Sequence, residues 1–277
     1  MTPDGQTERV ALATHEVDVT TVGAASAPAV LLLHGVGSSR RFLVDAFAEP
    51  LTTAGWRLVA ADVRGHGRST PWPDPADHAL AHLAQDVIEL VGWSGARVVG
   101  GVSLGGHAAV EAAARGAEVD AVVACLPAWT GTAEPGVGPH AAVAGQVRAT
   151  GIAGMLEGFD ADTSMVPWLR EVLLRDWAAC DPTSLQAALL ALDGGRAPDP
   201  TAIAGLRVPL GLVAWADDPG HPLAVAEEWA RLARRSVLEQ ISLDGAQADL
   251  TVFGAAAVAA LAGLGVTPDP GVASAVR

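Results

Sequence analysis

The chain alternates between two hydrophobic patterns. Short runs of β-branched and aliphatic residues occur at 17–21, 30–33, 57–61, 97–102, 121–125, 210–215 and 237–243. Between most of them lie longer Ala/Leu-rich stretches of helical character, at 41–54, 79–92, 104–115, 223–234 and 250–263. Several short runs (AVLLL, RVVGGV and AVVAC) are apolar almost throughout. A strand reads that way when both faces of its sheet are covered. Strands alternating with helices predict an α/β protein with a mostly parallel, doubly wound sheet.

The rhythm breaks once. Roughly 80 residues separate Cys125 from Leu210, whereas a crossover needs a dozen or so. That stretch has helical patterns of its own at 141–157, 166–179 and 183–193, with Pro/Gly-rich hinges GTAEPGVGP and GGRAPDP. It predicts a helical cap over 128–205 inserted into a core of 1–127 and 206–265, with a tail over 266–277. A length of 277 residues suits one domain with such an insertion.

Composition narrows the field. With 50% hydrophobic and 17% charged residues, the chain is not disordered. A net charge of −14 argues against a nucleic-acid partner. Every basic residue is arginine, so Schiff-base chemistry and a P-loop are both excluded. Cys125 and Cys180 make no disulfide framework, and a reducing compartment is the default. No signal-peptide pattern opens the chain, and the longest apolar run, Ala255 to Val266, falls short of the ~20 residues a membrane span needs. The expectation is a cytoplasmic protein with a small-molecule substrate and no membrane partner. The oligomeric state is not legible.

Three strand ends carry chemistry. Gly101-Val102-Ser103-Leu104-Gly105-Gly106 follows a strand and opens a helix, the context of a G-x-S-x-G elbow. The glycines allow a sharp turn that exposes the Ser103 hydroxyl at a helix N-terminus. His34-Gly35-Val36-Gly37 ends another strand. Acyl transfer develops a negative oxygen that needs two fixed N–H donors. Leu104 and Val36 are the candidates, with His34 and Gly35 placed at the substrate pocket. Asp62-Val63-Arg64-Gly65-His66-Gly67-Arg68-Ser69 reads as a tight loop held by Asp62 and Arg64 hydrogen bonds.

In this order and at this spacing, HG-x-G, D-x-RGHG-x-S and G-x-S-x-G-G resemble the α/β-hydrolase superfamily. The chain is similar to its small capped members, which include carboxylesterases, enol-lactonases and carbon–carbon bond hydrolases. The resemblance runs over roughly residues 15–265. It implies a Ser–acid–His triad in that chain order, and no cofactor or metal. A serine at the elbow argues against aspartate-nucleophile epoxide hydrolases and haloalkane dehalogenases. The family pattern puts the acid at Asp218, with Asp217 beside it.

The resemblance fails at the histidine. The family places it just past the last strand, where this chain reads Ser242-Leu243-Asp244-Gly245-Ala246-Gln247-Ala248-Asp249. Gln247 is nearest, and an amide cannot accept the serine proton. None of the eight histidines lies beyond His221. His221 is then either the base, folded between Asp218 and Ser103, or a surface residue near a helix start. In the first case Asp217 is an alternative orienting acid. His107 reads as packing behind the elbow, His15 as exposed, and the i, i+4 pair His78 and His82 as one helix face. His140 lies in the cap, from where it can project into the site. Trp129, Trp168 and Trp177 either pack the cap or line an apolar pocket over Ser103; Trp129 is placed at the pocket.

Two functions follow. The first is a serine hydrolase for an ester, lactone or related carbonyl, with Ser103, Asp218 and His221 as catalytic residues. The second is an incomplete triad in a cofactor-free lyase, cyclase or isomerase, or a small-molecule binder without turnover. An oxyanion hole alone retains about 10³–10⁴-fold catalysis over water.

Overall fold

The computed structural model describes residues 5–131, 139–194, 198–216, 218 and 220–268. Its strands are β1 (Gln6–Ala11), β2 (Glu16–Val22), β3 (Ala29–Leu33), β4 (Arg57–Ala61), β5 (Val98–Val102), β6 (Ala121–Cys125), β7 (Leu210–Trp215) and β8 (Ser236–Ile241). They form one sheet in the order β1-β2-β4-β3-β5-β6-β7-β8. β1 pairs antiparallel with β2, and β2 with β4. From β4 to β8 all pairing is parallel.

Alternate residues of the central strands feed two cores. Leu31, Leu33, Val99 and Val122 meet α2 (Leu80–Ser94), α3 (Leu104–Ala114) and Trp229 of α8 (Leu223–Leu232) on one face. Val30, Leu32, Val98 and Val123 meet α1 (Arg40–Thr53) and α10 (Val252–Gly263) on the other. The uninterrupted apolar runs therefore have the double-sided burial expected of them. This is the α/β-hydrolase fold.

Among the described residues the stretch between β6 and β7 carries α4 (Pro139–Ala161), α5 (Pro167–Trp177), α6 (Pro182–Gly194) and α7 (Pro200–Gly205); its two predicted hinges fall partly outside them. Ala144, Val147, Met155, Trp177, Leu185 and Leu189 give it a small core of its own. The predicted tail lies beyond the described residues from 269 onward.

Several expectations need correction. β1 carries no apolar alternation and was not anticipated; five of its six residues are exposed. β8 ends at Ile241 because Ser242 caps a further helix, α9 (Leu243–Ala248), by accepting from Gly245 N–H at 3.0 Å. His15 is buried, not exposed: it packs edge-on to Trp72 at 5.6 Å and lies 3.6 Å from Asp86. His78 and His82 do not share one helix. His78 ends a 3-10 turn, Pro75–His78, and donates to the Trp72 carbonyl at 2.7 Å.

The elbow depends on backbone contact. A Cβ on Gly105 would overlap the Leu33 carbonyl oxygen, and so would one on Gly101. Gly105→Ala should therefore lower stability by about 3 kcal/mol or more, because only backbone can yield. Gly158→Ala is the opposite case. Gly158 is an exposed position of α4 with open space at its Cβ. The alanine should raise stability by about 0.5–1 kcal/mol. Urea unfolding midpoints of the two variants check both signs.

Candidate active site

Ser103 sits between β5 and α3 with φ 50° and ψ −119°. Positive φ is costly for a residue with a Cβ and persists only where the surroundings enforce it. Here they do. Ser103 N–H donates to the Cys125 carbonyl at 2.8 Å, and the glycines at 101 and 105 press the turn onto the end of β3. The hydroxyl is thereby held out at the helix N-terminus.

Its partner is His221. Ser103 Oγ lies 3.1 Å from His221 Nε2, and His221 Nδ1 lies 2.7 Å from Asp218 Oδ2. Asp218 Oδ1 accepts from Gly220 N–H at 2.8 Å. Burial pushes the Asp218 carboxyl up. The bonds from His221 and the Gly220 N–H outweigh it and hold the group below the ordinary carboxylate value. Trp215 stands edge-on to the His221 ring at 6.4 Å. Asp217, the alternative acid, lies outside the described residues.

Val36 and Leu104 supply N–H groups near the serine. Gly35 brings the β3 turn against it, since a Cβ there would lie 3.3 Å from Ser103 Cβ. Val36 lines the same cavity, and Leu104 is the first residue of α3, whose N–H has no intrahelical acceptor. Among the described residues neither N–H donates to a protein acceptor.

Three other histidines brace the surrounding loops. His34 Nδ1–H donates to the Gly35 carbonyl at 2.7 Å, and its Nε2 accepts from Val63 N–H at 3.0 Å. His66 Nδ1–H donates to the Arg64 carbonyl, and its Nε2 accepts from Gly37 N–H, both at 3.0 Å. His107 Nε2 accepts from Ala128 N–H at 3.1 Å. Burial pushes their pKa values down, to about 4 for His34 and about 3 for His66 and His107. Arg64 grips Asp86 of α2 through two bonds of 2.7 and 2.6 Å, and Asp62 binds Arg40 through backbone and guanidinium. The Asp62–Ser69 loop is thus fixed by those two residues, as its sequence suggested.

The cavity over Ser103 holds about 330 Å³. Its walls are mostly apolar, with Val36, Phe42, Leu126, Trp168, Val172, Leu173, Trp215 and Phe253 among them. Two expectations fail here. His34 is fully buried behind the turn and does not line the cavity. Trp129 also stays out of the lining, packing edge-on to His107 at 5.0 Å. Phe42, Trp215 and Phe253 were missed, because their helix and strand positions read as ordinary core. Trp168 lines the cavity, whereas Trp177 packs over Gly37 and against Phe159 at 4.9 Å. His140 reaches the cavity from α4.

Gln247, in α9, ties the sheet side of the molecule to α5. Its Oε1 accepts from Trp168 N–H at 3.2 Å, at the start of α5, where Val166 offers no side-chain cap. Among the described residues no cluster could hold a metal ion, and no helix is long and apolar enough to cross a membrane.

A family profile described as "alpha/beta hydrolase fold" matches residues 28–164. Over 88 residues the chain is 32% identical to Epoxide hydrolase 1 of Siraitia grosvenorii, covering 30% of this chain and 26% of that protein. The match thus spans about a quarter of that curated relative's length. The enol-lactonase of Burkholderia xenovorans LB400 is similar in structure, with a TM-score of 0.69 and 21% identity over 86% of this chain and 91% of that one. A thermophilic esterase from Thermogutta terrifontis gives 0.68 and 23% identity over 86% and 90%. The chain shares the α/β-hydrolase fold with these structures.

The bracing histidines make stability pH-dependent. Each has a folded pKa below its unfolded value of 6.5. The unfolded chain therefore binds protons that the folded chain refuses, and stability is lost as pH falls from about 6.5 toward 4 and 3. At about 1.4 kcal/mol per group and pH unit, three groups give a slope on the order of 4 kcal/mol per unit below pH 6. Urea titrations at pH 7, 6 and 5 should show this loss. His107→Gln should reduce the slope by roughly one proton.

Proposed function

We propose that the protein is a serine hydrolase that cleaves an ester, lactone or related carbonyl of a small, largely apolar substrate through an acyl-enzyme on Ser103. The observation that supports this best is the unbroken chain Ser103 Oγ–His221 Nε2–Asp218 Oδ2, at 3.1 and 2.7 Å, facing an apolar cavity. His221 Nε2 takes the hydroxyl proton as Oγ attacks the carbonyl carbon. The Val36 and Leu104 N–H groups receive the developing oxyanion. His221 then returns the proton to the leaving alcohol oxygen as the C–O bond breaks. Water attacks the acyl-enzyme by the same route in reverse, its proton passing through His221 to Ser103. The His221 and Asp218 side chains keep 25% and 19% of their exposure, which leaves the base open to that water. Asp218 holds Nδ1–H, sets the tautomer and stabilises the imidazolium.

On this reading the base has moved. It comes from the loop after β7, three residues past its acid, instead of from the segment after β8. Helices α4 and α5 act as the cap over the apolar cavity. Ser103 at the elbow separates the chain from aspartate-nucleophile epoxide hydrolases, despite the 88-residue likeness. The reaction needs no cofactor.

A fluorophosphonate probe should label Ser103, located by mass spectrometry of the adduct. A folded protein that stays unlabelled would leave the non-hydrolytic alternatives. Ser103→Ala and His221→Ala should each reduce p-nitrophenyl ester hydrolysis by about 10³-fold or more. Asp218→Asn should reduce it by about 10⁴-fold through loss of the correct tautomer. Unchanged labelling of His221→Ala would refute the assignment of the base. Gln247→His should bring no gain in ester hydrolysis, because the base is already in place and position 247 faces α5.

A further inference from the structure

The cavity contains a second oriented imidazole. His140, near the start of α4, lines the same cavity as Ser103 and His221. Its Nδ1 is 2.9 Å from Asp193 Oδ1, near the end of α6. The other carboxylate oxygen, Oδ2, accepts from Ala141 N–H at 2.6 Å. Asp193 is therefore anchored at the N-terminus of α4 and anchors the ring in turn. Trp129 packs edge-on to the ring at 6.0 Å. A carboxylate on one ring nitrogen keeps the proton there and leaves the other nitrogen with a lone pair. Among the described residues Nε2 has no protein partner.

The other polar side chains of the lining are either bonded or sealed off. Ser103, His221 and Asp218 bond one another, and Ser38 Oγ donates to Asp176 at 3.1 Å. The Trp168 and Trp215 indole N–H groups lack partners but are sealed below the accessible surface. His140 Nε2 is thus the open acceptor in an otherwise apolar wall. Among the described residues no arginine lines the cavity.

The geometry points to His140 as a specificity-determining residue that accepts a hydrogen bond from a substrate hydroxyl remote from the scissile carbonyl, with Asp193 as its positioning residue. The substrate class is then a mostly apolar ester or lactone bearing one further hydroxyl. This rests on the acyl-enzyme reading above. A precisely placed polar group in an apolar pocket discriminates strongly, because an analogue without its partner leaves that group unpaired.

The test uses two ester pairs on the full chain. One pair is p-nitrophenyl 6-hydroxyhexanoate against p-nitrophenyl hexanoate, with the hydroxyl on the acyl side. The other is 4-hydroxybutyl against butyl hexanoate, followed by pH-stat, with the hydroxyl on the alcohol side. The readout is the ratio of kcat/KM, hydroxylated over plain. In at least one pair His140→Phe should lower that ratio by about 10- to 100-fold. His140→Gln, which keeps an acceptor, should recover part of it. Asp193→Asn should lower the same ratio through KM rather than kcat, with folding checked separately by melting. A ratio that His140→Phe leaves unchanged in both pairs overturns the proposal. Fluorophosphonate labelling of the wild type separates the two readings: if Ser103 is not labelled, the acyl-enzyme reading itself falls.

Discussion

Everything at this site depends on how closely two pieces of backbone approach. The end of β3 and the β5–α3 elbow touch through Leu33 O, Gly101 and Gly105, with no room for a side chain between them. That contact forces the turn so tight that Ser103 adopts a positive φ. The strain at 103 and the glycines around it are one constraint seen twice. The same contact carries the His34–Gly37 turn to the serine, so Ser103 and that turn are positioned by a single packing event. Parallel strands buried on both faces make it rigid, since neither β3 nor β5 can shift without disturbing two cores.

Around that contact the protein uses neutral histidine as a structural acceptor. His34, His66 and His107 each receive a backbone N–H from a loop bordering the site, at Val63, Gly37 and Ala128. An acceptor nitrogen must keep its lone pair, and burial ensures this by pushing the pKa values far below neutrality. These side chains resemble catalytic groups in type and place, yet each is committed on the nitrogen facing a loop. His221 differs in being partly open to solvent and in having a carboxylate on one nitrogen and a hydroxyl on the other. What sets these histidines apart is their partners, which no residue count can supply.

The sequence was legible wherever burial left a periodic mark. Strands β2 to β7 and the flanking helices lie close to their expected positions because apolar runs and elbow glycines encode them locally. β1 left no mark, being an exposed edge strand with polar side chains on both faces. The start of α9 was hidden because ISLDG continues an apolar run before its cap residue acts. The burial of His15 arises from Trp72 and Asp86, which are distant in sequence. The same holds for the cavity. Phe42, Trp168, Trp215 and Phe253 converge from α1, α5, β7 and α10, and only tertiary structure brings those four together. Proximity along the chain points His34 and Trp129 to the pocket, and each turns its ring into the protein instead.

Having Asp218 and His221 on one loop changes what holds them together. When a histidine follows the last strand, its distance to the acid depends on the packing of two separate loops. Here Asp218 and His221 are three residues apart, and Gly220 N–H ties the carboxylate within the same turn. Their mutual geometry is therefore local, and what remains to be fixed is the loop as a unit. β7 fixes it from one side, through buried Trp215, and α8 continues from it on the other. On the proposed mechanism the segment after β8 takes no part in proton transfer. Gln247 accepts from the first turn of α5, joining the sheet domain to a helix whose Trp168, Leu169, Val172 and Leu173 wall the cavity. An amide suits that task because it holds its acceptor oxygen without a charge to desolvate. The tie from Gln247 to α5 and the Asp218–His221 turn thus rest on separate segments, and neither constrains the other.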